Sequence, residues 1–259
     1  MASASSLCLV ESKRNGSMGN YNWNWSLLIQ QPYLGWLMSG LTWTIMLALG
    51  AWVLALAIGS TVGIARTLPW APLRWVAGAY VEVFRNIPLL AQMFLWFFVL
   101  PQLVPAEFGR WLKRDLPNPE FVSALLCLGF YTASRVAEQV RAGITSIPTG
   151  LSAAARSSGM TVLQTYRYVL LPIAYRIIVP PMTSEFLGIF KNTSLALTIG
   201  VMEITAQSRQ IESYTFHGYE AFTAALLLYL IVSMTLLFMM RKIESRSRIP
   251  GWLSRENAL

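Results

Sequence analysis

Between Arg14 and Arg66 the sequence carries no charged side chain, and from Leu41 to Ile64 it is almost unbroken in apolar and small residues. A helix needs about 20 such residues to cross the hydrocarbon core of a bilayer, so this stretch predicts a membrane span. The rest of the composition agrees. Of 259 residues, 55% are hydrophobic and only 12% charged, whereas soluble domains carry roughly 25% charge. That apolar content excludes a disordered chain, and the shortage of polar residues excludes a solvated single-core enzyme.

Uncharged runs also fill Asn86 to Ala106 and Ala221 to Met240. Two further apolar segments, Phe121 to Ile144 and Ile177 to Gly200, are interrupted by ionisable residues. The expected fold class is therefore all-α, a polytopic membrane protein with five transmembrane helices and its termini on opposite sides. The net charge of +8 would suggest nucleic acid in a soluble protein, but its distribution points to topology instead and no nucleic-acid partner is expected. With the N-terminus outside, the inner segments 66–74, 141–176 and 241–259 hold eleven Lys or Arg and the outer segments six. The loop from Ala142 to Arg176 has no acid at all. The positive-inside rule then places the N-terminus outside and the basic tail, with Arg241, Lys242, Arg246 and Arg248, in the cytoplasm beside the lipid headgroups.

Cys8 and Cys127 form no credible pair, and neither they nor His217 have metal-ligand spacing, so no disulfide, metal site or cofactor is expected. His217 reads as a loop residue without a partner. The polar leader Met1 to Gly19 lacks the apolar core of a signal peptide, and Met18 offers an alternative start.

Ionisable residues at membrane depth are functional candidates by default. Glu82 and Arg85, Arg135 and Glu138, and Glu138 and Arg141 are each three apart, the spacing at which helical side chains pair, so mutual neutralisation competes with a binding role. Lys191 is different, because Glu185 lies six residues away and on another side of a continuous helix. Asn192, Thr193 and Ser194 follow it, and Pro180 and Pro181 precede it, which predicts an irregular helix of the kind that lines transporter cavities. Hydroxyls that merely join helices are the competing reading. On the inner side, Ile147-Pro148-Thr149-Gly150 reads as a turn and Leu151 to Ser158 as a short small-residue helix stopped by Gly159.

The order of these residues resembles a known family. Ala153-Ala154-Ala155, three residues, Gly159, nine residues, Val169, one residue, Leu171-Pro172 is similar to the EAA loop of permease subunits of bacterial ABC importers, with Ala153 in place of the usual glutamate. Glu82 to Leu89, Arg141-Ala142-Gly143-Ile144 with Ile147-Pro148, and Lys191 to Leu195 resemble segments of the polar amino acid permeases. The stretch Thr132 to Val140 looks most like the permeases that import glutamate and aspartate. The resemblance implies an ABC importer type I permease core over residues 33–242, an EAA-like loop over 147–172, a leader and periplasmic segment over 1–32 and a cytoplasmic tail over 243–259. It also implies an ABC ATPase dimer, a second permease subunit and a periplasmic amino acid binding protein as partners. No phosphate-binding loop is present, so ATP hydrolysis is expected in the separate ATPase and the chain is not an enzyme.

The implied substrate residues are Arg135, Glu138, Lys191, Asn192, Thr193 and Ser194, with Glu138 orienting Arg135 or meeting the substrate ammonium. The implied ATPase-coupling residues are Ala153, Ala154, Ala155, Gly159, Leu171 and Pro172. Counted along the sequence, Glu82, Glu138 and Glu185 match Arg85, Arg135 and Lys191, which predicts no excess field inside the membrane. A self-contained secondary transporter or channel is the competing function. Five spans without an inverted repeat speak against it.

Overall fold

The computed structural model describes residues 21–247, which are helical with no strand among them. The leader up to Asn20, with Cys8 and Met18, and the tail beyond Ser247, with Arg248, lie outside the described residues. Five helices correspond to the expected spans: α1 (Tyr33–Ala65), α3 (Leu89–Leu103), α4 (Pro119–Thr145), α6 (Leu171–Asn192) and α8 (Gly218–Ser247). Between them lie α2 (Ala71–Asn86), α5 (Thr149–Ser157) and α7 (Ile204–Thr215). By length and apolar composition α1 and α8 qualify as spans outright, and α3 and α6 qualify when joined to the bent neighbours α2 and α7. α4 falls short because Arg135, Glu138 and Arg141 interrupt it, and it is the helix packed most extensively against α1.

Small residues decide that packing. Gly40, Thr44, Ala48, Ala51, Ala55, Gly59 and Gly63 recur every three or four residues along α1 and are all buried, Gly40 and Thr44 against the start of α7 and Gly59 and Gly63 against α4. Without a hydrophobic driving force between helices in lipid, such a stripe lets backbones approach closely and gain dispersion. At Gly59 an added Cβ would lie 2.6 Å from Val136 Cβ and 2.7 Å from the Ala133 carbonyl oxygen, and at Gly63 it would lie 2.7 Å from the Ala137 carbonyl oxygen. Gly59→Leu is therefore expected to separate α1 from α4 and remove folded protein. Gly78→Leu on α2, where a Cβ meets nothing within 4 Å, should leave the yield unchanged. Size-exclusion recovery of detergent-purified chain reads the difference, because overpacking of this kind costs about 1–3 kcal/mol or more.

The second expected span is shortened, since Asn86 closes α2 rather than opening α3. Pro88 pushes Ile87 into extended geometry (φ −93°, ψ 130°), and the chain turns by 104°. Gln92 Nε2 donates to the Phe84 and Ile87 carbonyls at 2.8 and 2.9 Å, satisfying the last turn of α2.

The irregular helix expected near Lys191 is present. After Asn192 the chain tightens into a 3-10 helix over Thr193–Ile199 and ends at Gly200 with φ 99°. Thr193, Ser194 and Thr198 each donate to the carbonyl three residues back, which favours the tighter turn. The chain then enters α7 under the carboxylate of Glu203, which is fully buried and accepts from the Thr205 and Ala206 N–H groups at 2.9 and 2.8 Å. The Tyr229 hydroxyl of α8 donates to the same carboxylate, and the Ile204 N–H reaches Thr44 Oγ1 of α1. Glu203→Ala strands two amide donors and a buried hydroxyl at once, each worth about 1–3 kcal/mol. Its expected consequence is a drop in thermal stability that Glu203→Gln partly restores, measured by detergent-phase thermal unfolding.

Candidate functional site

The charges of α4 leave that helix on one face and meet three other elements. Arg135 Nε and Nη2 donate to Glu185 of α6 at 2.6 and 3.1 Å, a two-pronged guanidinium–carboxylate pair. Glu138 does not orient Arg135. It accepts instead from Arg141 one turn along and from Arg66 at the end of α1, while Arg85 of α2 stands 3.8 Å away. The expected Glu138–Arg141 pair forms, whereas Arg135–Glu138 and Glu82–Arg85 do not. Glu82 is exposed and accepts from Asn86 of its own helix at 3.1 Å. The reason is topological: the bend before α3 and the crossing of α1 over α4 bring arginines from distant sequence positions to Glu138.

A cavity of about 110 Å³ lies among Arg85, Arg135, Glu138, Gln139 and Glu185. Around it Arg66, Arg85, Arg135 and Arg141 face only Glu138 and Glu185. The cavity lining itself is balanced, Arg85 and Arg135 against Glu138 and Glu185, and the further arginines Arg66 and Arg141 reach Glu138 from outside that lining. Lys191, one of the three cations counted along the sequence, is not in this cluster, and Arg66 and Arg141 are. Arg135 sits about 15 Å along the helix from Thr145, ten residues at 1.5 Å each. Its head is 46% exposed, so an incoming carboxylate can reach it while Glu185 holds it in place.

Lys191 and Ser194 lie elsewhere, in a groove of about 660 Å³ between α6 and α8 with Leu226, Tyr229, Ser233 and Met234. Thr193 is buried, and Asn192 is half-buried. Lys191 makes no ion pair among the described residues. Within this chain the two polar clusters are therefore separate, because the six-residue offset from Glu185 to Lys191 turns them to different sides of α6.

At the opposite end from Glu203, α5 presents Ala153 and Ala154 outward and buries Ala155. Gly159, with φ 85°, ends the helix: its N–H donates to the Arg156 carbonyl and the Met160 N–H to that of Ala155, a left-handed C-terminal cap. Thr161 and Gln164 then form a reciprocal capping box that starts the next turn. Leu171 and Pro172 open α6 after a π turn over Tyr166–Leu170. The Tyr166 hydroxyl donates to the Thr67 carbonyl at 2.9 Å, fixing this loop to the end of α1.

His217 has partners that its sequence position conceals. Its Nδ1 lies 3.2 Å from the Tyr21 hydroxyl and 3.4 Å from Glu220, whose fully buried carboxylate also accepts from Tyr21 and the Asn24 N–H. Burial and the bond to Glu220 push the Tyr21 hydroxyl up to about 12, so it remains a donor at physiological pH. These contacts strap the segment after Asn20 to the head of α8.

Helices long and apolar enough to cross a membrane frame the molecule, the architecture of a membrane protein. The chain belongs to the family described as binding-protein-dependent transport system inner membrane components, whose model matches residues 71–249. It is 46% identical over 238 residues to the glutamate/aspartate import permease protein GltJ of Escherichia coli (strain K12), covering 89% of this chain and 97% of that one. It is 32% identical to the probable glutamine ABC transporter permease GlnM of Bacillus subtilis (strain 168), covering 81% and 92%. Among solved structures, an amino acid ABC transporter crystallised with histidines superposes with a TM-score of 0.75 at 27% identity, over 87% of this chain and all of that one. The inward-facing MetNI methionine transporter shares the fold, with a TM-score of 0.70 at 22% identity over 85% of this chain. The protein is thus an inner-membrane permease subunit of an ABC importer, and ATP hydrolysis belongs to a separate subunit.

Proposed function

We propose that this permease imports an acidic amino acid, glutamate or aspartate, that a periplasmic binding protein delivers, with residues 33–242 as the transporting domain. The observation that carries the reading is Arg135, whose half-exposed guanidinium lines the cavity with a carboxylate, that of Glu185, already seated on it. Arg135 offers a planar donor pair for one carboxylate of such a substrate, and Arg85 across the same cavity offers a second cation for the other. Glu185 holds Arg135 in the unloaded state, and Glu138 or Glu185 supplies the counter-charge for the ammonium. The similarity to GltJ supports the same substrate class. Lys191 and Ser194, with Asn192 beside them and Thr193 buried beneath, belong to a second polar surface that a solute meets only when the paired permease covers the α6–α8 groove.

The acid-free end carrying α5 faces the cytoplasm in this reading, by the positive-inside rule, and the strap at Tyr21 and Glu220 faces the periplasm. Ala153, Ala154 and Gly159 then meet the ATPase dimer, while Ala155, expected to join them, packs inward and seats α5 on the permease, and Leu171 and Pro172 transmit the motion into α6. Uptake of labelled glutamate by the whole complex, in competition with unlabelled aspartate, glutamine and histidine, tests the substrate. The acidic pair should compete at concentrations about tenfold or more below the others, as expected where a neutral side chain cannot make the charged hydrogen bonds that Arg135 offers. Equal competition by glutamine would remove the acidic preference.

A further inference from the structure

The end of α1 reaches the cavity at Arg135 through an intermediary. Gly63 lets α1 close on α4 at Ala137 and Val140, so Arg66, a turn further on, arrives beside Glu138. Arg66 is 15% exposed, against 47% for Arg85, and it does not line the cavity. Its partner does. Both carboxylate oxygens of Glu138 are taken, Oε1 by Nε and Nη2 of Arg141 and Oε2 by Nη1 of Arg66. Arg85 Nη1 is left 3.8 Å from Oε2, beyond hydrogen-bond length, and Arg85 makes no hydrogen bond among the described residues. Glu82, the nearest acid in its own helix, is engaged by Asn86. A guanidinium that lines a cavity with its donors unused is open to an anionic ligand. Were Oε2 vacant, Arg85 would need only to close the gap to a charged hydrogen bond of about 2.8 Å.

We propose that Arg66 is a positioning residue for substrate binding: by holding Glu138 Oε2 it keeps Arg85 unpaired and available to the second carboxylate of the substrate. The assignment rests on the acidic-substrate reading above and adds a side chain outside the cavity that sets the preference for a charged over an amide side chain. The position of the charge matters as well as its sign. Arg141 brings the same charge to the same carboxylate, but its loss frees Oε1 and leaves Oε2 with Arg66.

Equilibrium binding of labelled glutamate to the complete importer, purified in detergent without the binding protein and with unlabelled glutamine as competitor, tests this. Arg66→Gln is expected to weaken glutamate about tenfold, the worth of one charged hydrogen bond, and glutamine by no more than about threefold, since it presents no second carboxylate. Arg66→Lys keeps a cation on Oε2 and Arg141→Gln keeps Arg66 there, so both should stay within about threefold of wild type for glutamate. Adding Glu138→Gln to Arg66→Gln removes the competing carboxylate and should recover most of the lost affinity. Co-purification of the ATPase and the paired permease verifies assembly. Equal losses for glutamate and glutamine, an equal loss in Arg141→Gln, no recovery in the double variant, or failure of Arg66→Gln to assemble would overturn the proposal. A wild-type importer that binds glutamate no better than glutamine would overturn the acidic-substrate reading itself, and this assignment with it.

Discussion

Replacing Arg135 by Ala is expected to abolish measurable uptake of glutamate and aspartate while the importer still assembles. The expectation follows from what the side chain touches. Both of its prongs go to Glu185, and none goes to the α1–α4 seam that holds the bundle together. Removing the guanidinium deletes the carboxylate partner and leaves Glu185, 11% exposed, as an uncompensated charge beside the cavity. Arg135 is nearly half exposed, so its pair with Glu185 contributes only about 1 kcal/mol or less, and the expected loss of uptake comes from deleting the substrate's charged hydrogen-bond partner, about 1.5–3 kcal/mol for each prong, or roughly 10-fold to 140-fold each. Arg135→Lys keeps the charge but loses the two-pronged geometry, so it should fall between wild type and Ala. Initial uptake rates in proteoliposomes, with ATPase retention as the assembly check, read both variants. Unchanged uptake kinetics in Arg135→Ala would take this residue out of the site.

The second large effect is expected at Gly159. An aspartate there has room for its side chain, since a Cβ meets nothing within 4 Å, so crowding is not the problem. The backbone at φ 85° is one that Asp and Asn tolerate better than other side chains, so the problem is the negative charge added to the docking face. Gly159→Asp should separate ATP hydrolysis from transport or release the ATPase. Gly159→Asn tolerates the left-handed conformation without the charge and should retain most coupling. Measuring ATP hydrolysed per glutamate imported distinguishes the two. Normal stoichiometry in Gly159→Asp would detach this loop from coupling.

The spans were legible because hydrophobic length is a local property, and the helix at α5 because Gly159 marks its end. The irregular stretch after Lys191 was legible for the same reason, since its hydroxyls bond within three residues. What sequence spacing could not supply was the pairing of charges. Arg135 has an acid three residues away and chooses one fifty residues away, because α4 and α6 cross at that level. Glu138 collects Arg66 from the end of α1, a residue that reads as a boundary cation until α1 and α4 are seen to share a glycine seam. Glu203 and Glu220 were hidden for a related reason. Each lies in a segment of mixed polarity, and only the return of the chain against α1, α8 or the segment near Tyr21 buries it. An acid directly before Ile204-Thr205-Ala206 was the one available cue, as a helix cap.

The most direct measurement is transport by the purified system in liposomes. The permease pair alone should accumulate no labelled glutamate, under an ion gradient or without one, and addition of the ATPase, ATP and the binding protein should start uptake that vanishes with Arg135→Ala. Gradient-driven accumulation by this chain without the ATPase would contradict the account.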